Sequence, residues 1–276
     1  MSSFLDEMAA ASAARVRAAQ AQVSEAALLQ LASHTAAAPP LRLSAEGFDV
    51  IAELKLRSPA AGALGVPGTP IAQRAITYAR AGAAAVSVLT EPSRFDGSLS
   101  HLTETVRALA PFGVPAMRKD FLIDPYQVLE ARAAGAGGVL LIVRMLSREM
   151  LGALIECART QGLFVLIEAF DETDLDRMQQ VIAADAGRSA LLAGVNCRDL
   201  VTLQVVAGRL LELGPLLPPQ VPHVAESGVE CAADARRLAG AGYALALVGS
   251  ALMRGEDPAA LLRALLEAGR CACRGS

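Results

Sequence analysis

Apolar and polar positions follow one repeating pattern along most of the chain, and from residue 48 onward each repeat predicts a strand followed by a helix. The predicted strands are short, mostly continuous apolar runs, such as Val-Leu-Leu-Ile-Val at residues 139–143. Such runs are typical of parallel strands that helices cover. Eight repeats are present, and eight parallel strands close naturally into a barrel. The sequence therefore predicts an α/β fold of the (β/α)8 or TIM-barrel type.

The boundaries of the repeats follow from the apolar runs and from the Gly and Pro residues between them. The predicted strands are residues 48–54, 84–89, 114–117, 138–143, 163–168, 191–196, 223–226 and 244–248. The predicted helices are residues 72–81, 99–109, 128–134, 148–160, 172–183, 205–213, 232–239 and 258–268. An open doubly wound sheet is the alternative, but residues 55–59 lack the glycine-rich turn that usually follows its first strand.

The residues before the first strand have a different composition. Residues 2–32 are rich in Ala, Gln, Glu and Leu, contain no Gly or Pro, and predict one or two amphipathic helices. Pro39 and Pro40 end this part of the chain. We therefore predict an N-terminal helical extension, residues 1–47, packed on a catalytic barrel, residues 48–276.

Composition and charge exclude several classes of partner. The chain of 276 residues is 53% hydrophobic with a formal net charge of -3, so it can bury a core and has no general attraction for nucleic acid or membranes. Its five cysteines form no paired CxxC blocks, which argues against a zinc site and for reduced thiols in a cytoplasmic protein. We expect no signal peptide and no membrane span of ~20 apolar residues. The pattern predicts no oligomeric state.

Polar side chains recur at the C-terminal ends of the predicted strands, where β/α barrels place their catalytic groups. Glu53 and Lys55 are two residues apart, so an extended backbone directs both to one side. Because buried Lys and Glu are rare unless paired, the set predicts an acid–base network at the barrel mouth. The alternative is mutual neutralisation, with Lys119 paired to Asp120 or Asp124 on a solvated loop. The polar residues of this set are Glu53, Lys55, Lys119, Glu168, Asn196, Arg198, Glu226 and Ser227.

Small residues follow the last two predicted strands. Ser227-Gly228 and Gly249-Ser250 lie where barrels often bind phosphate through backbone N–H groups, because glycine lets the backbone approach an anion closely. Ser58 and Arg198 are available to the same site. The sequence therefore predicts a phosphorylated small-molecule ligand.

The first loop, residues 59–70, is rich in Gly and Pro and is longer than the two to six residues that usually join a strand to a helix. We predict a mobile lid that orders over substrate. The alternative is a fixed loop that Leu64 and Val66 anchor on the rim.

These segments together resemble the indole-3-glycerol phosphate synthase family over about residues 48–265. The combination of Arg118-Lys119-Asp120-Phe121 with Glu226-Ser227-Gly228 is the most specific part of the resemblance. Other matching segments are Ile51-Ala52-Glu53-Leu54-Lys55, Phe95-Asp96-Gly97-Ser98, Val165-Leu166-Ile167-Glu168, Gly194-Val195-Asn196-Cys197-Arg198 and Val248-Gly249-Ser250.

The resemblance implies a ring closure that releases carbon dioxide and water from a carboxyphenylamino deoxyribulose phosphate, without a metal or organic cofactor. It implies that Lys119 is the general acid at the ketone, that Glu168, Lys55 and Glu53 handle later proton transfers, and that Asn196 positions the substrate. Apolar walls for the aromatic ring are expected from Phe95, Phe121, Leu122 and Leu140. Residues expected around the substrate, largely at its phosphate end, are Ser58, Arg198, Ser227, Gly228, Gly249 and Ser250.

Some positions depart from the family pattern. Phe170 stands where the family commonly has His, Cys197 where it has a second Asn, and Ala225 where it has Ser. Two alternatives stay open: the preceding isomerase of the same pathway, which would need a Cys/Asp pair at the strand ends, and a non-catalytic barrel. The presence of Lys119 and Glu168 argues against the second.

Overall fold

A closed barrel of eight parallel strands forms the centre of the molecule, so the predicted (β/α)8 fold is confirmed. The computed structural model describes residues 4–60, 62–64, 69–199, 202, 204–206 and 208–274. The barrel strands are β1 Asp49–Leu54, β4 Ala85–Leu89, β5 Ala116–Lys119, β6 Gly138–Ile142, β7 Phe164–Ala169, β8 Leu191–Asn196, β9 His223–Glu226 and β10 Leu245–Val248. Two short strands, β2 Arg57–Ser58 and β3 Gly62–Ala63, form a separate antiparallel pair.

Helices surround the barrel and precede it. Their bounds are α1 Phe4–Gln22, α2 Glu25–His34, α3 Ile71–Arg80, α4 Pro92–Phe95, α5 Leu99–Leu109, α6 Pro125–Ala133, α7 Arg148–Thr160, α8 Glu172–Asp185, α9 Arg209–Leu213, α10 Ala232–Gly240, α11 Ser250–Arg254 and α12 Pro258–Arg274. Side-chain caps fix several helix starts, because they satisfy backbone N–H groups that have no partner in the first turn. Asp124 accepts from Tyr126 N at 2.9 Å before α6, and Asp171 accepts from Asp174 N at 3.0 Å before α8. None of the described helices is both long enough and apolar enough to span a membrane.

Alternation along each strand divides the apolar residues between two cores, since successive side chains point to opposite faces. Outward residues, such as Val139 and Leu141, pack under the helices. Inward residues fill the barrel axis, and they include Ile51, Met117, Leu140, Leu166, Leu192, Val224 and Leu245. Because these side chains block the axis, the barrel has no pore, and the last inward side chain of each strand lies at the floor of a mouth that is closed from below.

The end of β5 corrects one prediction. The sequence placed Arg118 and Lys119 in a charged loop, but the strand continues through Lys119. Arg118 points outward, where its guanidinium donates to Glu130 Oε2 at 3.0 Å and to Gln127 O at 2.8 Å. These bonds satisfy a buried arginine, so the strand can continue, and alternation then turns Lys119 into the barrel mouth.

The helix predicted over residues 205–213 is also wrong at its start. Val205 forms an isolated antiparallel bridge with Arg198, and Val206 N donates to Cys197 O at 2.8 Å. Gly208 then adopts a φ of 89°, which right-handed helix excludes, and α9 begins at Arg209. The bridge keeps Arg198 next to the strand ends.

The N-terminal helix α1 contacts the loop that follows β5. Ser12 Oγ donates to Phe121 O at 2.6 Å, and Arg15 Nη2 lies 2.6 Å from Asp120 Oδ1. The helix therefore holds the two residues that directly follow Lys119 at the end of β5. The division of the chain at residue 47 stays a prediction.

Only part of the first loop is described, because residues 61 and 65–68 lie outside the described residues. Leu64 is buried, and its N–H donates to Leu56 O at 2.7 Å. The lid prediction for residues 59–70, including the anchoring role of Val66, therefore stays a prediction.

Candidate active site

A cavity of about 150 Å³ opens at the C-terminal ends of the strands, and every predicted catalytic and binding residue except the wall residue Leu122 lines it. Alternation explains the convergence, because the last inward residues of β1, β5, β7, β8 and β9 are polar. The predicted residues that line the cavity are Glu53, Lys55, Ser58, Phe95, Lys119, Glu168, Asn196, Arg198, Glu226, Ser227, Gly228, Gly249 and Ser250. Their roles are not settled by proximity alone, and they are argued below.

Lys119 lies between two buried carboxyl groups. Its Nζ is 3.0 Å from Glu168 Oε2 and 3.2 Å from Glu226 Oε2. Burial lowers the pKa of Lys119, but the charges of Glu168, Glu226 and Glu53 outweigh it and raise the pKa above its usual value. The amine is therefore held as an ammonium group.

The solvated-loop alternative for Lys119 does not hold. Asp120 turns away from it and binds Arg15 at 2.6 Å, Arg118 at 3.2 Å and Thr90 Oγ1 at 2.7 Å. Asp124 caps α6 instead. Lys119 therefore points into the cavity, whereas the Asp120 carboxylate binds residues that surround the end of β5.

Glu53 and Lys55 form the second ion pair of the mouth, with Lys55 Nζ 2.5 Å from Glu53 Oε1. Burial raises the pKa of Glu53, but the neighbouring charges of Lys55 and Lys119 outweigh it and lower the pKa below the usual value. The spacing argument is confirmed: both side chains point to one side, as a charged carboxylate beside an ammonium.

Glu226 is the carboxyl group in which a proton is held most strongly. It is buried, and its Oε1 has no hydrogen-bond partner among the described residues. Burial and the nearby charge of Glu168 raise its pKa well above the usual value, against the opposing effect of Lys119. Two carboxyl groups thus share one ammonium group, and the surroundings of Glu226 favour its protonated form.

A stability measurement tests this assignment. Because folding raises the pKa of Glu226, the proton stabilises the folded state below the ordinary value of 4.5, and this contribution is lost as the pH rises through the folded value. We expect Glu226→Gln to unfold several degrees above wild type at pH 7, because the neutral amide removes the cost of a second buried carboxylate beside Glu168. The difference in thermal midpoint between the variant and wild type should vanish in acid, because Glu226 is then protonated and neutral as well.

Thermal unfolding across pH provides the measurement. Glu267→Gln, at an exposed position of α12, is the matched control and should leave the thermal midpoint unchanged. A Glu226→Gln midpoint at or below that of wild type at pH 7 would contradict the assignment.

Asn196 and Ser227 form a polar bridge across the ends of β8 and β9. Ser227 Oγ donates to Asn196 Oδ1 at 2.8 Å, and Arg198 N donates to the same oxygen at 2.9 Å. Ser227 and Gly228 have φ values of 69° and 71°, so the chain turns sharply after β9. The Asn196 amide nitrogen is therefore oriented by bonds to its own oxygen, which fixes the amide plane.

Two glycines provide space for the carboxyl groups. A Cβ atom on Gly249 would overlap Glu53 Oε1, and one on Gly194 would overlap Glu226 Oε1. Sequence reasoning gave Gly249 a phosphate role only and did not assign Gly194 a role. Their positions in the barrel could have indicated this role. Gly194 lies on β8, next to the strand that carries Glu226, and Gly249 follows β10, next to the strand that carries Glu53.

Three of the four residues predicted as apolar walls lie on the cavity. Phe95, Phe121 and Leu140 line it, whereas Leu122 packs in the outer core beneath the helices. The prediction for Leu122 was wrong because neighbouring residues of an extended segment point to opposite sides. Additional apolar residues that line the cavity and that sequence reasoning missed are Phe4, Leu5, Ile142 and Phe170.

Within the described part of the chain, no group of three or more His, Cys, Asp and Glu residues is arranged to hold a metal ion.

A β/α barrel that gathers two ammonium and three carboxyl groups at its mouth, beside Gly-Ser turns, defines a barrel enzyme of the acid–base type. The family model described as indole-3-glycerol phosphate synthase matches residues 5–265. The chain belongs to this family, whose members are carbon–carbon lyases of tryptophan biosynthesis.

Named relatives cover most of the chain. An indole-3-glycerol phosphate synthase of Parafrankia sp. is 47% identical over 227 residues, which are 82% of this chain and 81% of the relative. The enzyme of the same name from Mycobacterium tuberculosis is 41% identical over 270 residues, which are 96% of this chain and 94% of the relative.

Solved structures show the same fold at low identity. A 3-hexulose-6-phosphate synthase from Salmonella typhimurium superposes with a TM-score of 0.60 at 14% identity, covering 81% of this chain and 99% of that one. A tryptophan synthase from M. tuberculosis gives a TM-score of 0.58 at 15% identity, covering 82% of this chain and 94% of that one. At this identity the likeness supports the barrel architecture alone.

Proposed function

We propose that this chain converts 1-(2-carboxyphenylamino)-1-deoxyribulose 5-phosphate into indole-3-glycerol phosphate, with release of carbon dioxide and water. The observation that carries the proposal is the Lys119 ammonium group, which lies between the buried carboxyl groups of Glu168 and Glu226 at the mouth of a barrel. The Glu53–Lys55 pair beside it supplies a second donor and acceptor of protons. Membership of the family supports the substrate and the reaction.

Ring closure is the first step that the site would catalyse. The aromatic carbon that bears the carboxylate attacks the ketone carbon, a carbon–carbon bond forms, and the carbonyl oxygen becomes an alkoxide. Lys119 donates its proton to that oxygen, and before transfer its charge stabilises the developing negative charge. The bond to the carboxylate then breaks, its electron pair restores the aromatic ring, and carbon dioxide leaves.

Dehydration completes the indole. The new hydroxyl group accepts a proton and leaves as water, while the adjacent CH₂ carbon loses a proton so that the ring double bond forms. Lys55, Glu53 and Glu168 are the proposed donors and acceptors for these two transfers. Over the cycle two protons are donated and one is returned, so one proton enters from solvent and restores Lys119.

The remaining cavity residues are proposed to bind and orient the substrate. The Asn196–Ser227 bridge and Glu226 lie where they can contact the hydroxyl groups of the sugar chain. Phe95 contributes to the apolar wall. The proposed phosphate-binding residues are Ser58, Arg198, Gly228, Gly249 and Ser250.

The direct test uses the purified chain and the synthetic substrate. Indole fluorescence should increase with time, and one carbon dioxide should be released for each indole formed. A correctly folded protein that produces neither would overturn the proposed function. Product formation without carbon dioxide would indicate a different reaction at the same site.

Inhibition by inorganic phosphate tests the phosphate end separately. Because phosphate would occupy only part of the substrate site, we expect competitive inhibition, with a higher apparent KM and unchanged kcat. Arg198→Met should weaken this inhibition by about 10-fold, the scale of a hydrogen bond to a charged group.

Chloride at equal ionic strength is the control for screening. In crystals soaked with sulfate, we expect density near Gly228 and Gly249. Non-competitive inhibition, or sulfate density only elsewhere, would count against this location.

A further inference from the structure

The cavity has two chemically different sides. The turns after β9 and β10 provide Ser227, Gly228 and Gly249, whereas β6 and the segment after β7 provide apolar side chains, including Ile142 and Phe170. Glu168 lies at the end of β7 and Lys119 at the end of β5, so the two flank β6 in the barrel order. If the substrate's phosphate binds on the glycine side, as proposed above, its aromatic ring lies against the apolar side. The inference below rests on that proposed function.

Phe170 is a fixed part of the apolar side. It is only 2% exposed, and its backbone N–H donates to Asp174 Oδ2 at 3.0 Å. It follows Glu168 by two residues, so the ring stands immediately next to a group that is proposed to transfer protons. A ring at this position limits the room available beside the substrate's reacting atoms.

Arg144 covers the Phe170 ring. Its guanidinium carbon lies 4.5 Å from the ring centroid, within the range of a cation–π contact. Arg144 is itself held by two carboxylates, with Nε 2.7 Å from Asp174 Oδ2 and Nη2 2.7 Å from Asp171 Oδ2. Asp174 is buried and also accepts a hydrogen bond from the Phe170 backbone. One carboxylate therefore holds both Phe170 and the Arg144 side chain that covers the Phe170 ring.

We propose that Phe170, held in place by Arg144, is a specificity-determining residue that limits which substituents the aromatic ring of the substrate can carry. A movable side chain could turn aside to admit a larger ring, but a ring clamped by this network cannot. Apolar pockets discriminate by about 10–200-fold for one methylene-sized group when the wall is rigid. The discrimination should therefore concern one edge of the ring, the edge that faces Phe170.

The test compares the unsubstituted substrate with a set of substrates that carry one methyl group at each free ring position. For each, kcat/KM is measured relative to the unsubstituted compound. We expect Phe170→Ala to raise this ratio at least ~10-fold at one ring position and to leave the others nearly unchanged. General loosening of the site would raise all positions alike, and this would overturn the proposal.

Phe170→Leu keeps an apolar side chain and covers the case in which Phe170→Ala does not fold. Wild-type ratios at every ring position in a folded variant would also overturn the proposal. Turnover of the unsubstituted substrate by wild type tests the proposed function itself, so the two failures are distinguishable.

Arg144→Met tests the positioning role. Methionine keeps an apolar stem over the ring but removes the cation–π contact and both ion pairs. We expect the ratio to rise at the same ring position, by less than in Phe170→Ala. Arg159→Met, which breaks an exposed pair with Glu156 on α7, is the matched control and should change nothing. An unchanged kcat/KM ratio in Arg144→Met would overturn the positioning role of Arg144.

Discussion

Lys119→Ala should lower kcat by at least ~100-fold, the scale of a lost general acid. The ammonium group is the only donor that lies between Glu168 and Glu226 in the described site, and alanine cannot protonate the alkoxide. The barrel should survive, because Lys119 lies at the mouth and Glu226 can take up a proton when the positive charge is lost. Indole fluorescence under saturating substrate provides the measurement.

Lys119→Met is the second variant, since its stem fills most of the space of lysine and removes only the charge. Circular dichroism and thermal unfolding show whether both variants are folded. Turnover within a few-fold of wild type in a folded variant would exclude Lys119 as the acid.

The chain provides an unusually direct probe for this experiment. It contains only two lysines, Lys55 and Lys119, among its 25 Lys and Arg residues. Isotope-labelled lysine should therefore give two side-chain signals by NMR, and Lys119→Met identifies one of them. Because its carboxylate neighbours raise the pKa of Lys119, its signal should keep the ammonium form at neutral pH.

Gly249→Ala should lower kcat by about 100-fold, in addition to any effect on phosphate binding by its backbone. Gly249 has a φ of -119° and a ψ of -73°, a combination outside the usual regions for residues with a side chain, so the added Cβ atom meets both an unfavourable backbone conformation and a steric overlap. That atom would overlap Glu53 Oε1 and displace the carboxylate from Lys55. Displacement of a reacting group by about 1 Å is enough to lose a factor of about 100.

Gly152→Ala is the matched control for this substitution. Gly152 lies in α7 with no heavy atom within 4 Å of an added Cβ, so the change should leave kcat unchanged and stabilise the helix by about 0.5–1 kcal/mol. Steady-state kinetics of the two variants side by side gives the result. If Gly249→Ala retains wild-type kcat, the close fit of Glu53 is not needed for turnover.

The lysine count is a sequence signal that the strand pattern alone did not use. The other 23 of the chain's 25 Lys and Arg residues are arginines, which do not lose their proton in proteins, whereas lysine can donate one. Lysine therefore occurs in this chain only at the two positions proposed for proton transfer. Counting residue types would have selected Lys55 and Lys119 without reference to the fold.

The sequence by itself determined the barrel and the positions of its catalytic mouth. Apolar runs, their spacing and the polar residue at each strand end are local properties, and local alternation decides which side chains point inward. It could not show that β5 continues through Lys119, because a buried Arg118 is tolerated only through its distant partners, such as Glu130.

Only the tertiary structure decided which charges pair and how they share protons. Lys119 meets Glu168 and Glu226 across 49 and 107 residues of sequence, and Asp120, its chain neighbour, binds Arg15 instead. The clamp of Arg144 on Phe170 and the space that Gly194 leaves for Glu226 likewise join separate elements. The physical reason is that pairing energies and pKa shifts depend on distance and burial, which barrel closure sets and sequence spacing does not.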